Sequence, residues 1–310
     1  ICCGRPHLIV RLIHQTLAHG NRHIEGVTVI PIVHRIARRH GHLELCSIFG
    51  FDQGTEIVEL RRRGFRFIAL ADDNFYPVTL TDLAQAKRQN NAARLAELES
   101  IRRERFELMK RLSMLPRDMI FFTQITMEAA EDPEYLAAMK KANIKGALVG
   151  VEAVTKEGLK DVYKGFNEAG DDLVARLRAF RAAGVHVLGS FIFGLPSDRP
   201  STFAATQEVA IKAQLTFAQF VMLTPYPGTI DFEAWEKSLE GNAPKVGSIP
   251  ITRHWLIPQD QRPKVYTPHP VMGPDEIRAR TQGVWDGFYS LSAVWERSSC
   301  VPNFKGRVAF

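Results

Sequence analysis

The segment that decides the fold is residues 184–198, which read GVHVLGSFIFGLPSD. Its centre, from Val185 to Phe193, is a largely apolar run of the length of one buried β-strand. Gly184 stands just after a helical pattern from Asp171 to Ala183, at the position where glycine commonly ends a helix. Because this strand is apolar on both faces, it is typical of a parallel sheet that is covered by helices on each side.

The same alternation of strands and helices extends on both sides of this segment. We predict strands at residues 65–71, 119–123, 146–151, 185–193 and 217–223. We predict helices at residues 56–63, 80–115, 132–143, 155–163, 171–183 and 201–214. Repeated strand–helix units of this length indicate an α/β protein with a parallel barrel or a doubly wound sheet.

Polar residues collect just after the predicted strands, at the end where parallel α/β folds place their chemistry. In chain order the residues just past the strands are Asp72, Asp73, Asn74, Gln124, Thr126, Glu152, Gly194, Pro196 and Thr224, most of which are polar. Strands end where loops begin, so each of these residues alone is better explained by structure than by function. Taken together, they indicate a candidate site.

The bulk composition excludes several classes of protein. Hydrophobic residues make up 45% and charged residues 24% of the 310 residues, which is ordinary for a globular chain. No apolar run reaches the ~18 residues that indicate a membrane span. Four cysteines are too few for a disulfide scaffold, so we expect a cytoplasmic protein. The net charge of +6 lies mostly before residue 66, so we do not expect nucleic-acid binding.

Residues 1–54 differ in composition from the rest of the chain. Seven of the ten His lie before residue 43, whereas the first Lys is Lys87 and the first Met is Met109. One interpretation is a basic, His-rich extension with its own role. The other, which we favour, is a stretch translated from the wrong reading frame, without helical or strand periodicity. The chain begins at Ile1, so we expect a fragment.

Five segments in order carry a resemblance to a known family. They read FIALADDNF at 67–75, MIFFTQIT at 119–126, LVGVEAVTKEGL at 148–159, GVHVLGSFIFGLPSD at 184–198 and LTPYPGT at 223–229. This ordered set resembles radical S-adenosylmethionine proteins of the cobalamin-binding-domain class. The resemblance implies a partial (βα)6 parallel barrel at residues 55–231 and a C-terminal extension at 232–310 that caps the barrel.

The resemblance also implies cofactors and a reaction. Proteins of this family hold a [4Fe–4S] cluster through three cysteines of a CxxxCxxC loop, and the open iron binds the amino and carboxylate groups of S-adenosylmethionine. Reductive cleavage gives a 5′-deoxyadenosyl radical, which acts on a small-molecule substrate. The electron comes from a donor such as flavodoxin or ferredoxin. The reaction can be a cobalamin-dependent methyl transfer, with cobalamin held by an additional N-terminal domain.

A set of cofactor contacts follows from the resemblance. The set is Asp72, Asp73, Asn74, Gln124, Glu152, Gly189, Gly194 and Thr224. Asp72 and Asp73 stand where the methionine amino group is usually held, and a carboxylate suits an ammonium group. The alternative for Asp73 is that it caps the following turn. Gln124 and Glu152 would bind the ribose or the carboxylate of the cofactor. The strand around Gly189 to Gly194 is similar to the one that passes the adenine ring in this family, where glycine permits close approach. The alternative is that Gly189 is a packing glycine of the strand.

The cysteine loop of the family is missing from this sequence. If Cys46 is the third cysteine of CxxxCxxC, the first two positions are Arg39 and Leu43, which cannot bind iron. Cys46 is therefore the only predicted metal ligand, and we expect the chain to bind little iron. Three hypotheses remain: a radical enzyme fragment, an inactive S-adenosylmethionine-binding barrel that has lost its cluster, and an unrelated parallel-barrel lyase that uses the strand-end carboxylates.

Overall fold

The computed structural model describes residues 23–24, 27–31, 35–39, 42–46, 52–163, 170–301 and 303–310. The chain divides into two compact units. The first comprises residues 1–149 and 176–188, and the second comprises residues 150–175 and 189–310. The domain boundaries expected from the sequence lie after residues 54 and 231, and they stay a prediction.

Strands and helices alternate along the described residues. The strands are β1 (His23–Ile24), β2 (Val27–Pro31), β3 (Arg35–Arg39), β4 (His42–Cys46), β5 (Phe67–Ala71), β6 (Ile120–Ile125), β7 (Ile144–Glu152), β8 (His186–Phe193), β9 (Phe217–Met222), β10 (Lys245–Val246) and β11 (Ile249–Pro250). The α-helices are α1 (Asp52–Arg62), α2 (Leu80–Arg88), α3 (Ala92–Ser113), α4 (Pro133–Lys141), α5 (Lys156–Asp161), α6 (Gly170–Ala182), α7 (Pro200–Lys212), α8 (Ile230–Ser238), α9 (Pro274–Phe288), α10 (Leu291–Arg297) and α11 (Phe304–Ala309). The five predicted strands are β5 to β9, and the predicted parallel α/β fold is confirmed.

The sheet of the first unit is built from parallel strands in the order β2–β5–β6–β7, with β1 antiparallel at the β2 edge and β8 beside β7. Ala69 of β5 lies opposite Val29 of β2 and Phe122 of β6. In β5, Ile68, Ala69 and Leu70 are all buried, as expected for a strand covered on both faces.

Strands are also present where the sequence analysis predicts none. β2 reads VTVIP, and its β-branched residues favour a strand. β3 and β4 form a separate antiparallel hairpin. Much of the remainder of residues 1–54 lies outside the described residues, so the wrong-frame interpretation stays a prediction.

The long charged helix predicted after β5 is two helices. Asn90 takes a left-handed backbone with φ 49°, which Asn tolerates better than most residues. Asn91 then caps α3, because its side chain accepts a hydrogen bond of 3.0 Å from the Arg94 backbone N–H. Ala86 of α2 and Leu98 of α3 belong to one buried apolar cluster, which shows that the two helices pack together.

In the second unit, the C-terminal part of the chain packs on β9 through α9. Strand β8, of which residues 189–193 belong to this unit, is the neighbour of β9 in the sheet. The Trp285 indole N–H donates to the Phe220 carbonyl at 2.9 Å, and the ring centroids of Phe220 and Phe288 are 5.7 Å apart. A separate apolar cluster is formed by Phe232, Trp235 and Ile251. Within the described parts of the chain, no helix has the length and apolar character needed to cross a membrane.

Candidate functional site

The loop after β5 is organised by the side chain of Asn74. The Asn74 Oδ1 atom accepts hydrogen bonds from the backbone N–H groups of Tyr76 at 3.0 Å and Thr126 at 3.2 Å. The Asn74 Nδ2 group donates to the Tyr76 carbonyl at 2.8 Å. One amide side chain thus joins the loop at the end of β5 to the loop at the end of β6.

Asp73 and Gln124 are exposed side chains at these same strand ends. Gln124 Nε2 donates to the Asp73 carbonyl at 3.2 Å, and the Phe75 backbone N–H donates to the Gln124 carbonyl at 2.8 Å. Four of the predicted site residues, Asp72, Asp73, Asn74 and Gln124, are therefore brought together in the first unit. Of the two aspartates, Asp73 is the one whose side chain is exposed to solvent.

Asp72 has a different environment, because it forms a buried ion pair. Arg105 Nη2 lies 2.6 Å from Asp72 Oδ2, and the two side chains are only 1% and 7% exposed. Asp72 Oδ1 also accepts a hydrogen bond of 3.2 Å from the Asn74 backbone N–H, so Asp72 takes the turn-capping position that the sequence analysis considers for Asp73. Sequence reasoning missed Arg105, since it is one of many charges in a charged helical stretch.

A second buried carboxylate supports the same loop from α4. Asp132 Oδ2 accepts hydrogen bonds from Tyr76 Oη at 3.0 Å and Arg102 Nη1 at 2.5 Å, and Asp132 Oδ1 accepts one from the Tyr135 backbone N–H at 3.0 Å. Burial alone would raise the pKa of Asp132, but the hydrogen bonds from Arg102, Tyr135 and Tyr76 outweigh it and hold the pKa below its usual value. Burial and the neighbouring Asp132 charge raise the pKa of Tyr76.

Glu152 ends β7 in the second unit with a strained backbone. Its φ is +67°, which is unusual for a residue other than glycine. The Ala153 backbone N–H donates to the Val151 carbonyl at 2.9 Å, which closes a tight turn around Glu152. Such a conformation costs about 1–3 kcal/mol and is found preferentially at functional sites. The positive φ of Glu152 agrees with its choice as a candidate site residue, but it does not indicate a particular role in binding or catalysis.

Gly189 and Thr224 have local structural explanations. A Cβ atom at Gly189 would lie 2.6 Å from Leu215 Cδ1, so the glycine is needed for packing of β8. Thr224 Oγ1 donates to the Met222 carbonyl at 3.0 Å, just after β9. Their predicted roles as cofactor contacts stay predictions.

Gly194 begins a tight turn closed by a buried aspartate. It has φ +90°, a value that favours glycine. Asp198 Oδ2 accepts hydrogen bonds from the backbone N–H groups of Gly194 at 2.8 Å and Leu195 at 3.0 Å. Burial raises the pKa of Asp198, although these two hydrogen bonds oppose the increase. His269 Nε2 contacts the Leu195 carbonyl at 2.9 Å, so a residue of the C-terminal extension also holds this turn.

The cysteines do not fit a [4Fe–4S] cluster of the family type. Cys46 is the last residue of β4 and lies opposite Arg35 in the hairpin, and Cys300 has no other cysteine at the spacing of a CxxxCxxC loop. Cys2 and Cys3 lie outside the described residues. In the described part of the chain, no group of three or more His, Cys, Asp or Glu side chains is arranged to hold a metal ion. If Cys46 is the only cysteine that binds the cluster, two of the three thiolate ligands that the family uses are missing.

Comparison with solved structures identifies the fold. A radical S-adenosylmethionine methyltransferase, TsrM from Kitasatospora setae, determined with its tryptophan substrate and an S-adenosylmethionine analogue, is similar with a TM-score of 0.53 and 17% identity. The similarity covers 87% of this chain and 53% of that chain. This chain has the radical S-adenosylmethionine fold. The expected resemblance is confirmed at the level of the fold, although no family model matches the sequence.

Two curated relatives that match part of this chain are methyltransferases. An uncharacterized methyltransferase of Pyrococcus horikoshii is 34% identical over 119 residues, which are 38% of this chain and 23% of that protein. The bacteriochlorophyllide d C-12(1)-methyltransferase of Chlorobaculum tepidum is 30% identical over 111 residues, which are 35% of this chain and 24% of that protein. The chain thus matches about a quarter of the length of each of these relatives.

Proposed function

We propose that this chain binds S-adenosylmethionine at the ends of β5 and β6, as part of a protein related to radical S-adenosylmethionine methyltransferases. The observation that carries the proposal is the exposed carboxylate of Asp73 beside Gln124, on a loop whose backbone is fixed by Asn74. A carboxylate at this position is complementary to the ammonium group of the methionine moiety. The fold and the methyltransferase relatives support the same assignment.

Each residue of this site has a distinct part in binding. Asp73 accepts hydrogen bonds from the ammonium group, since its side chain is exposed rather than buried against a cation. Gln124 fixes the Asp73 backbone through the bond from Nε2 to the Asp73 carbonyl. Asn74 sets the distance between the two loops. No step of radical chemistry is assigned to this chain, because its cysteines do not fit the cluster.

Other cofactors and partners rest on the family resemblance alone. Methyl transfer to a small-molecule substrate is the reaction we propose for the whole protein, because the curated relatives are methyltransferases and the similar solved structure holds tryptophan as its substrate. Cobalamin and an electron donor such as flavodoxin or ferredoxin stay predictions.

Calorimetric titration with S-adenosylmethionine tests the proposal. The wild-type chain is expected to bind, and Asp73→Asn is expected to weaken binding by about tenfold or more, because one charge-assisted hydrogen bond contributes about 1.5–3 kcal/mol. Asp260→Asn, which changes an exposed aspartate of the second unit, should bind as the wild type does. A wild-type chain that does not bind S-adenosylmethionine contradicts the proposal.

The radical enzyme fragment is the second candidate, and the methyltransferase relatives favour it. Anaerobic reconstitution with iron and sulfide, followed by iron analysis, distinguishes a radical enzyme fragment from a chain that binds S-adenosylmethionine without a cluster. Little bound iron is expected. About four irons per chain would mean that the cysteine argument is wrong and that the cluster forms.

The lyase alternative is weakened by the Asp72–Arg105 ion pair, because a buried, neutralised carboxylate is a poor general base.

A further inference from the structure

The charged helix α3, whose role the sequence leaves open, supplies two arginines to the candidate site. Arg102 and Arg105 are spaced so that they lie on the same side of α3. Arg102 binds Asp132, and Arg105 binds Asp72. Both carboxylates are almost fully buried, so each arginine places a positive charge beside a carboxylate that has lost most of its contact with water.

The Asp72–Arg105 pair is costly to break. An arginine that is 1% exposed has lost nearly all of its hydration, and so has the carboxylate 2.6 Å away. Burying either charge alone costs several kcal/mol, which the partner offsets. Removing Arg105 therefore favours movement of the Asp72 carboxylate towards solvent. Because Asp72 Oδ1 also accepts the Asn74 backbone N–H, such a movement would disturb the backbone of the loop after β5.

The pair also decides which of the two adjacent aspartates is available to a ligand. Asp72 is turned into the protein by Arg105 and by the Asn74 backbone N–H. Asp73 lies inside the turn that Asp72 caps through the Asn74 backbone N–H, so the position of Asp72 sets the position of the Asp73 backbone. Asp73 is exposed.

We propose that Arg105 is a positioning residue for S-adenosylmethionine: by neutralising Asp72 inside the protein, it presents Asp73 to the ammonium group of the cofactor. This inference rests on the proposed function of the site. It gives α3 a function in ligand binding without any contact between Arg105 and the ligand.

A contact of the same arginine with Phe75, two residues after Asp73, supports this role. The Arg105 guanidinium lies over the ring of Phe75, 5.2 Å from the ring centroid. The Phe75 carbonyl accepts a hydrogen bond from Tyr135 Oη of α4. The loop is therefore held at Asp72 and Phe75, on both sides of Asp73, which fixes the position of the exposed carboxylate between them.

The test compares two ligands across three variants of the full chain. The ligands are S-adenosylmethionine and 5′-methylthioadenosine, which lacks the amino-acid part and so cannot bind to Asp73 through an ammonium group. The variants are Arg105→Met, the double variant Asp72→Asn with Arg105→Met, and Arg103→Met as the matched control, because Arg103 is an exposed arginine of the same helix. Dissociation constants are measured by calorimetry, and folding by circular dichroism.

Arg105→Met should lose about tenfold or more in affinity for S-adenosylmethionine, the loss expected when one charge-assisted contact is misplaced, with little change for 5′-methylthioadenosine. The double variant leaves no uncompensated charge, so it should fold and recover most of the affinity. Arg103→Met should behave as the wild type does.

Three results overturn the inference. The first is a folded Arg105→Met chain that binds S-adenosylmethionine as tightly as the wild type. The second is an equal loss for both ligands, which would show a general structural role. The third is a double variant as weak as Arg105→Met, which would show that Asp72 itself binds the ligand. If the wild-type chain binds neither ligand, the proposed function fails and this inference fails with it.

Discussion

Asn74 and Thr126 follow neighbouring parallel strands and are joined by a 3.2 Å hydrogen bond from the Thr126 backbone N–H to the Asn74 side-chain oxygen. The same oxygen accepts the Tyr76 backbone N–H, so one atom satisfies two donors of two different loops. A buried or half-buried backbone donor that loses its acceptor destabilises the fold. The amide of Asn74 is therefore the structural centre of the candidate site.

Replacing Asn74 tests this centre. Asn74→Ala removes the acceptor of two N–H groups and the donor to the Tyr76 carbonyl. We expect the free energy of unfolding to fall by about 1–3 kcal/mol, measured by urea denaturation. The control Gln85→Ala, at an exposed position of α2, should change it by no more than about 0.5 kcal/mol. Equal effects of the two substitutions would show that the loop does not depend on Asn74.

The buried Asp132 carboxylate gives a pH dependence of stability. Because its folded pKa is lowered, the unfolded chain binds the proton more tightly, and the stabilisation by Asp132 is complete above the unfolded pKa of about 4. It is lost as the pH falls through the lower, folded pKa. The difference in unfolding free energy between the wild type and Asp132→Asn should therefore shrink below about pH 4.

The matched control for this pH dependence is Asp260→Asn, at an exposed aspartate. This substitution should change the unfolding free energy by no more than about 0.5 kcal/mol. If the Asp132→Asn difference does not shrink below about pH 4, the hydrogen bonds from Arg102, Tyr76 and Tyr135 do not stabilise the charged form of Asp132.

Two glycines of the second unit are expected to respond in opposite directions to alanine. At Gly189 a Cβ would lie 2.6 Å from Leu215 and 3.1 Å from the Phe191 ring, so Gly189→Ala should lower the unfolding free energy by about 1–3 kcal/mol. At Gly283 in α9, no heavy atom lies within 4 Å of the added Cβ, and alanine should raise stability by about 0.5–1 kcal/mol. Thermal unfolding of both variants measures this. Destabilisation at Gly283 would contradict the open space found there.

The protonation of His269 follows from its contacts. Its Nδ1 atom accepts hydrogen bonds from the backbone N–H groups of Val271 at 3.1 Å and Met272 at 3.0 Å. The proton of the neutral ring therefore lies on Nε2, which donates to the Leu195 carbonyl. In long-range ¹H–¹⁵N correlation spectra, the neutral ring of His269 should show the Nε2–H tautomer. A signal for Nδ1–H would mean that His269 does not hold the turn in this way.

Several elements follow from the sequence because local forces define them. The start of α4 is one, since Asp132 caps the helix by accepting the Tyr135 N–H, and Pro133 occupies the first turn as expected. The end of α6 before Gly184, with φ +82°, is another. Helix capping and the backbone preferences of Pro and Gly depend on only a few neighbouring residues, so both can be recognised from the sequence.

Other elements were not predicted, because their local sequence signals are weaker than those of the neighbouring residues or because they depend on contacts between residues distant in sequence. The break between α2 and α3 depends on Asn90 and Asn91, whose helix-ending effect was hidden in a long run of helix-forming residues. β2 lies in a segment of unusual composition, and its position beside β5 depends on pairing between residues distant in sequence.

The sequence by itself determined the order of β5 to β9 and of most helices between them, the parallel α/β class and the strand ends at which Asp72, Asp73 and Gln124 lie. Buried strands and amphipathic helices have different local hydrophobic patterns, so their alternation can be recognised from the sequence. Only the tertiary structure decided which aspartate is buried and which is exposed. That difference comes from Arg105, which reaches Asp72 only when α3 packs against the loop after β5. Desolvation of the two charges is a property of the packed state, and no spacing along the chain encodes it.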